Sequence, residues 1–267
     1  SSAASDVYKR QHINDSLSPK LHNYWFKENN IKAIYEKFLL DEANIKSVIE
    51  QIKKKEIFGI NVTVPFKKKI IPCLQKLTKE ASISNSVNTI YLENDVIVGH
   101  NTDIAGFELA IRHSKFNTTD KKVLILGAGG VVSSLIIALK NLGVSQIIIS
   151  NRTKEKALEL KNNYKDLEII EWGTTPDFDM AINATSLGLS NDDDEIKLDF
   201  KKIGSNKFFY DVIYNPSETN FLRKARENGN KTQNGKMMFI YQAHQAFTIW
   251  HKIMPEINEK TISLLNE

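Results

Sequence analysis

Apolar residues recur along the chain at two spacings, one helical and one strand-like, and these divide it into two regions of alternating elements. In residues 43–54, Ile45, Val48, Ile49 and Ile52 fall at i, i+3, i+4 and i+7, the stripe of an amphipathic helix. Asp41 stands where that helix needs a cap. Residues 19–29 carry Leu21, Tyr24, Trp25 and Phe26 behind Ser18, a capping residue, and Pro19, which suits a first helical position. Residues 31–40 are apolar without a decisive period and fit either a strand or a helix. Residues 57–62 form a short apolar strand, and Pro65 can open the helix after it. Residues 88–93 and 96–99 are β-rich runs around Asn94-Asp95 and read as a hairpin, although the turn lacks a glycine. Residues 103–113 place Ile104, Phe107 and Ile111 on one helical face.

The second region opens with Val123-Leu124-Ile125-Leu126, a continuous apolar run that suits a parallel strand covered on both faces. A helix over 131–142, ended by Gly143, a strand over 147–150 and a helix over 154–164 follow. Strand-like runs recur at 167–170, 180–183 and 208–213, and 241–251 and 257–265 read as closing helices. The alternation predicts an α/β protein of two domains, the second built on an open parallel sheet. A length of 267 residues is enough for two modest domains.

Composition narrows the function classes. The net charge of +4, from 36 basic and 32 acidic residues, is spread along the chain, without the dense basic stripe of a nucleic-acid binder. The clusters Lys53-Lys54-Lys55 and Lys67-Lys68-Lys69 read as solvated faces, Lys67 excepted. A single cysteine forbids an intrachain disulfide and fits a reducing compartment; Cys73, among Ile70, Ile71 and Leu74, reads as a small apolar residue. No apolar run approaches the roughly 18–20 residues that span a bilayer, and residues 1–11 hold no signal-peptide stretch. The expectation is a cytoplasmic protein without membrane or nucleic-acid partners, and without a metal.

Two places carry chemistry. Gly127-Ala128-Gly129-Gly130 lies between a strand and a helix, where glycines permit a tight turn and the helix N-terminus offers free N–H groups to a pyrophosphate. The third glycine of the usual fingerprint is replaced by Val132, and a plain tight turn is the competing reading. After the next strand, Asn151-Arg152-Thr153 offers no acid for ribose hydroxyls, while Arg152, Lys154 and Lys156 suit a 2′-phosphate. That favours NADPH over NADH. The second place is Asn61-Val62-Thr63-Val64-Pro65-Phe66-Lys67, which leaves a strand for a helix, together with Asn101-Thr102-Asp103 at the junction of the two regions. From spacing alone, Lys67 and Asp103 fit a surface ion pair better than a proton-handling pair. Ser16 and Ser18 alone read as helix-capping residues.

These motifs occur with Ser86-Val87-Asn88-Thr89, Asn183-Ala184-Thr185-Ser186 and the Gly235 to Ala243 pattern G-x-x-M-x-x-x-Q-A. In order and spacing the set resembles the shikimate dehydrogenase family, from about Ser16 to the end of the chain. The resemblance implies a substrate domain over residues 1–103 plus 240–267 and a Rossmann-like NADP-binding domain over 104–239. It implies reduction of 3-dehydroshikimate to shikimate by NADPH, in the pathway to chorismate and aromatic amino acids, by a monomer or homodimer. It implies that Lys67 and Asp103 are catalytic, and that Ser16, Ser18, Thr63, Asn88, Tyr214 and Gln242 bind substrate. It assigns Gly127, Ala128, Gly129, Gly130, Asn151, Arg152, Thr153, Lys156, Val212, Gly235 and Met238 to the cofactor. His244 reads as structural or cleft-lining.

The chain departs from the family in places. Residues 1–11 lack the expected hydrophobic strand, offering only Val7-Tyr8, with Arg10 and His12 where glycine and proline are usual. The expectation is that residues 1 to about 11 are not native sequence, or that the first strand is degraded. Asn85-Ser86 replaces a common Gly-Ala pair, and Ser133 replaces an arginine that helps bind cofactor phosphates. The competing readings are an NAD-using quinate/shikimate dehydrogenase, disfavoured by Asn151-Arg152-Thr153, and a non-catalytic ligand-sensing relative, disfavoured by retention of Lys67 and Asp103. A methylene-tetrahydrofolate dehydrogenase has a similar architecture but different motifs.

Overall fold

The computed structural model describes residues 16–190 and 195–266. The expectation about residues 1–11 falls outside them. The chain divides into two compact units. The first contains the described residues to Ile83, Val87–Thr102 and those from Gln242 onward; the second contains Ser84–Ser86 and Asp103–Tyr241.

In the first unit, α1 (Ser18–Glu28), α2 (Ile45–Lys53), β1 (Gly59–Asn61), α3 (Phe66–Lys69), a 3-10 turn at Ile71–Cys73, β2 (Lys76–Leu77) and α4 (Lys79–Ser84) precede a hairpin. The hairpin is β3 (Thr89–Glu93) and β4 (Val96–His100), and the sheet order is β1-β3-β4-β2. Ile45, Val48, Ile49 and Ile52 of α2 are buried, as their spacing predicts. Three of them join Val62, Ile70, Val87, Ile90 and Ile97 in one core, with Cys73 packed at its edge. The hairpin turns without glycine because Asn94 and Asp95 both take left-handed backbone angles, φ 50° and 61°. That is the type I′ pattern, and these two residue types tolerate it best after glycine.

The serine-bearing helix differs from expectation at its start. Leu17, not Ser18, holds the cap position, with no side-chain cap; Ser18 is the first helical residue, and its N–H donates to Ser16 Oγ at 3.3 Å. Asp41 accepts from the Asn44 N–H at 2.8 Å one turn ahead of α2, so it closes the approach and not the helix itself. Residues 31–40 form neither strand nor helix. The Asn23 side chain pairs with both backbone groups of Tyr35, each at 2.9 Å, and substitutes for a strand partner there.

Helix α10 (Lys236–His251) contributes its second half to this unit, starting five residues earlier than the apolar pattern suggested. Phe247 meets Trp25 and Phe26 of α1, each with centroids 5.6 Å apart. Trp250 donates its indole N–H to Ile90 O at 3.2 Å, and only glycine fits at 59, since a Cβ there would lie 2.3 Å from Trp250 Nε1. The chain then ends through α11 (Glu259–Ser263), opened by a capping box between Asn258 and Thr261.

The second unit begins with α5 (Asp103–Ser114), then runs β5 (Lys122–Leu126), α6 (Val132–Asn141), β6 (Gln146–Ser150), α7 (Lys154–Asn163), β7 (Glu168–Ile170) and β8 (Met180–Asn183). It continues through α8 (Phe200–Ile203), β9 (Phe208–Asp211), α9 (Asn220–Glu227) and β10 (Lys231–Gln233). The sheet order is β10-β9-β8-β5-β6-β7, with every pairing parallel. Val123, Leu124, Ile125 and Leu126 of β5 are all buried, as a doubly covered strand requires. Strand β5 lies between β6 and β8, so successive connections leave it in opposite directions and the C-terminal ends of these strands open a crevice for ligand. Among the described residues no helix is long and apolar enough to cross a membrane. Among them, too, no cluster of three or more His, Cys, Asp or Glu is placed to hold a metal ion.

Candidate functional site

The two units hold different parts of the predicted site. In the first, β1 runs into the loop of Val62, Thr63, Val64 and Pro65, and α3 carries Lys67. The Val62 N–H donates to Asn88 O at 2.8 Å and the Val87 N–H donates to Lys67 O at 2.8 Å. These two bonds fasten the lysine turn to the segment that bears Asn88. Thr63 is exposed, Lys67 half-buried and Asn88 buried, so polar groups reach the surface from an ordered base.

Asn88 is held on several sides. Its Nδ2 donates to Thr102 Oγ1 at 2.8 Å, and its Oδ1 accepts from the Thr102 N–H at 2.8 Å and from Thr89 Oγ1 at 3.0 Å. Asn61 donates to Asn88 O and to Thr89 Oγ1, each at 3.1 Å, and accepts from the Tyr35 hydroxyl at 2.8 Å. Tyr35 is hydrogen-bonded in turn to the Ser18 side chain, and burial pushes its hydroxyl pKa up. Ser18 and Ser16 meet at 3.2 Å between hydroxyl oxygens. A continuous chain of polar groups therefore links Ser16, Ser18, Tyr35, Asn61, Asn88 and Thr102. Tyr35 and Asn61 were given no role by the sequence reading. The alternating pattern of donors and acceptors that recruits them is visible only once β1 and β3 are paired.

Gln242 is half-buried on α10, one turn ahead of Phe247 and its contacts with α1. His244 is buried, and its Nε2 lies 3.0 Å from Pro255 O, a structural bond to the chain that follows α10. Burial lowers its pKa. Asp103 follows Thr102 in the chain, opens α5 and is 5% exposed; it belongs to the second unit, whereas Lys67 belongs to the first.

In the second unit the glycine turn leaves β5 at Gly127, with φ 116°, a conformation that L side chains rarely adopt. A Cβ there would lie 2.8 Å from Ala184 O, so the turn packs directly on the loop after β8. Ala128 is half-buried, Gly129 and Gly130 are exposed, and α6 begins two residues later, its Val132 N–H donating back to Gly129 O at 3.0 Å. Asn151 ends β6 by donating to Thr153 O at 2.7 Å; Arg152, Thr153 and Lys156 are exposed beside it. Lys154, part of the same basic cluster, instead pairs with Glu171. The residues present fit a phosphorylated dinucleotide: exposed Gly129 and Gly130 at a helix N-terminus, and exposed Arg152 and Lys156 beside a strand end, Asn151-Arg152-Thr153, that carries no acid.

Val212 and Tyr214 follow β9, Gly235 immediately precedes α10, and Met238 lies in its first turn. A Cβ at Gly235 would lie 2.0 Å from Val212 O, and the Gly235 N–H donates to Ile213 O at 3.0 Å. These segments therefore touch through their backbones. Tyr214 packs its ring on Phe239 at 4.7 Å, and Met238 is buried.

Comparison with known proteins bears directly on this arrangement. Residues 10–90 match the family described as the shikimate dehydrogenase substrate binding domain, and residues 108–186 that described as shikimate / quinate 5-dehydrogenase. A shikimate dehydrogenase (NADP(+)) of Pelagibacter ubique (strain HTCC1062) is 59% identical over 254 residues, 95% of this chain and 96% of the relative. The chain belongs to the shikimate dehydrogenase family. A crystal structure of a shikimate dehydrogenase in complex with NADP+ superimposes with a TM-score of 0.88 at 33% identity, covering 95% of this chain and 91% of that one. The Thermus thermophilus enzyme, crystallised with NADP(H) and shikimate, gives 0.83 at 26% identity, with 94% of each chain covered. The α/β architecture, with an N-terminal substrate domain and a Rossmann-like dinucleotide-binding domain, is thus that of the family.

Proposed function

We propose that this chain catalyses the NADPH-dependent reduction of 3-dehydroshikimate to shikimate, a step toward chorismate and the aromatic amino acids, in the cytoplasm and as a monomer or homodimer. The observation that carries the reading is the pair of backbone bonds, Val62 to Asn88 and Val87 to Lys67, that fastens the turn bearing Thr63 and Lys67 to the segment bearing Asn88, within a chain whose relatives bear this activity in their names. Residues 1–103 plus 240–267 serve as the substrate domain, and residues 104–239 hold the cofactor.

Bound NADPH supplies a hydride. The chain's own residues do the rest. As negative charge develops on the substrate ketone oxygen, the Lys67 ammonium stabilises it and delivers the proton that makes the alcohol. Asp103 accepts a bond from a substrate hydroxyl as the second member of the catalytic pair. The hydroxyls of Ser16 and Ser18, at the start of α1, donate to the substrate carboxylate. Thr63, Asn88, Tyr214 and Gln242 pair with the remaining hydroxyls, each of which would otherwise be buried without a partner. Gly127, Ala128, Gly129 and Gly130 receive the pyrophosphate at the α6 N-terminus, and Asn151, Arg152, Thr153 and Lys156 receive the 2′-phosphate. Val212, Gly235 and Met238 face the nicotinamide. The absence of an acid after β6 favours this over the NAD-using reading.

The test is turnover of 3-dehydroshikimate followed by near-ultraviolet absorbance, with NADPH and NADH compared. The reading expects NADPH to be oxidised with the larger kcat/KM. Equal or better use of NADH would refute the cofactor assignment, and no turnover by the folded protein with either cofactor would refute the reaction.

A further inference from the structure

Asp211 ends β9 with its side chain fully buried. Among the described residues no cation pairs with it. Hydrogen bonds from three residues converge on its two oxygens. Oδ1 accepts from the Ile213 N–H at 2.9 Å, Oδ2 accepts from Thr219 Oγ1 at 2.6 Å, and Asn183 Nδ2 lies 3.1 Å and 3.2 Å from the two. Asn183, opposite it in the β8–β9 register, reaches further. Its Nδ2 donates to Leu187 O at 3.0 Å, and its Oδ1 accepts from the N–H and hydroxyl of Thr185 at 3.0 Å and 2.7 Å. Thr219 also caps α9.

The loops gathered here pack against residues assigned above to the cofactor. Residues 184–187 support Gly127 through Ala184 O, and residues 212–214 support Gly235 through Val212 O and Ile213 O. We infer that Asp211 is a positioning residue, its carboxylate clamping the loops after β8 and β9 so that Gly127, Val212 and Gly235 meet the cofactor in register. This inference rests on the assignment of Gly127, Val212 and Gly235 to NADPH. Asp211 touches no substrate or cofactor itself. Burial pushes its pKa up to about 6, against the pull of its bonds to Thr219, Ile213 and Asn183. A buried carboxylate without a counter-ion is unfavourable for stability, and an apolar residue of similar volume would fill the space more simply. Retaining converging donors around it fits a clamp on loops, not a packing element.

The experiment compares the intact chain with Asp211→Ala and Asp211→Asn by amide hydrogen exchange and steady-state kinetics. Asp211→Ala should lose protection at Thr185, Leu187, Val212 and Ile213 while β5, β6 and β8 stay protected. Its kcat should fall by about tenfold or more, with the KM for 3-dehydroshikimate within about twofold of the parent. Asp211→Asn keeps an acceptor for Ile213 and a neutral partner for Thr219, and should recover most of both losses. Unchanged exchange in the two loops, or protection lost evenly across the sheet in both variants, would overturn the inference. If the parent neither binds NADPH nor turns over, the functional reading fails, and the exchange pattern still decides whether Asp211 clamps the loops.

Discussion

His22 is the residue whose replacement tests the packing of the first unit most sharply. It lies on α1, four residues after Ser18, and is fully buried. Neither ring nitrogen has a hydrogen-bond partner among the described residues. Its ring stacks on Tyr35 at 4.3 Å and 10° and stands among Trp25, Phe247 and Trp250. Burial, with a smaller contribution from His251, lowers its pKa from 6.5 to about 3. The folded protein therefore keeps this imidazole neutral where the unfolded chain takes up a proton. The unfolded state binds more protons below pH 6.5, so stability falls as pH drops from that value toward about 3. At about pH 5 the loss amounts to ~2 kcal/mol from this one group.

His22→Phe keeps the aromatic stacking and removes the titration. At neutral pH the loss of two unpaired nitrogens and the slight gain in volume oppose one another. The decisive quantity is the difference between two pH values. Urea unfolding of parent and variant at about pH 7.5 and about pH 5 should show the variant losing ~2 kcal/mol less on acidification. His100, His244 and His251, whose pKa values are also lowered by burial, contribute equally to both proteins. Equal losses in parent and variant would refute the reasoning, as would an ordinary His22 titration seen by NMR.

Other outcomes follow from the same geometry. Gly235→Ala puts a Cβ 2.0 Å from Val212 O, a clash with backbone that only movement of the loop relieves; it should destabilise the fold by ~2 kcal/mol or more by thermal melting and weaken NADPH binding in a fluorescence titration. Arg152→Gln should raise the KM for NADPH by about tenfold or more while leaving that for NADH within about twofold, since the 2′-phosphate it is assigned to bind is what distinguishes the two cofactors. Asp95→Gly should stabilise the first unit by a few tenths of a kcal/mol to ~1 kcal/mol in urea unfolding, because glycine adopts φ 61° without strain and the exposed Lys55–Asp95 pair it sacrifices is weak.

Much of this fold was legible in the residue pattern, for identifiable reasons. The stripe of α2 and the continuous apolar run of β5 each bury what their spacing said they would bury, because burial is what produces such spacing. Strand β10, Lys-Thr-Gln, was invisible: it is a polar edge strand, held by backbone pairing to β9, and carries no apolar period. Helix α9 was missed although Phe221, Leu222 and Ala225 are buried, since its remaining positions are polar. Residues 31–40 look structured by composition but take their conformation from Asn23, a side-chain contact that no local pattern records. Of the site, the motifs located the glycine turn and the lysine loop, while roles for individual residues came from resemblance to the family. Tyr35, Asn61 and Asp211 were overlooked because what marks them is a network of bonds between strands distant in sequence.

The central claim is that Lys67 makes this chain a catalyst for ketone reduction and not merely a binder of its ligands. The most direct measurement is NADPH oxidation in the presence of 3-dehydroshikimate by the parent and by Lys67→Ala, with NADPH affinity measured in both. The account predicts turnover by the parent and a fall in kcat of roughly 10²–10⁴-fold in the variant, with NADPH affinity preserved. Turnover by Lys67→Ala at the parent's rate, or a parent that binds both ligands without oxidising NADPH, would contradict it.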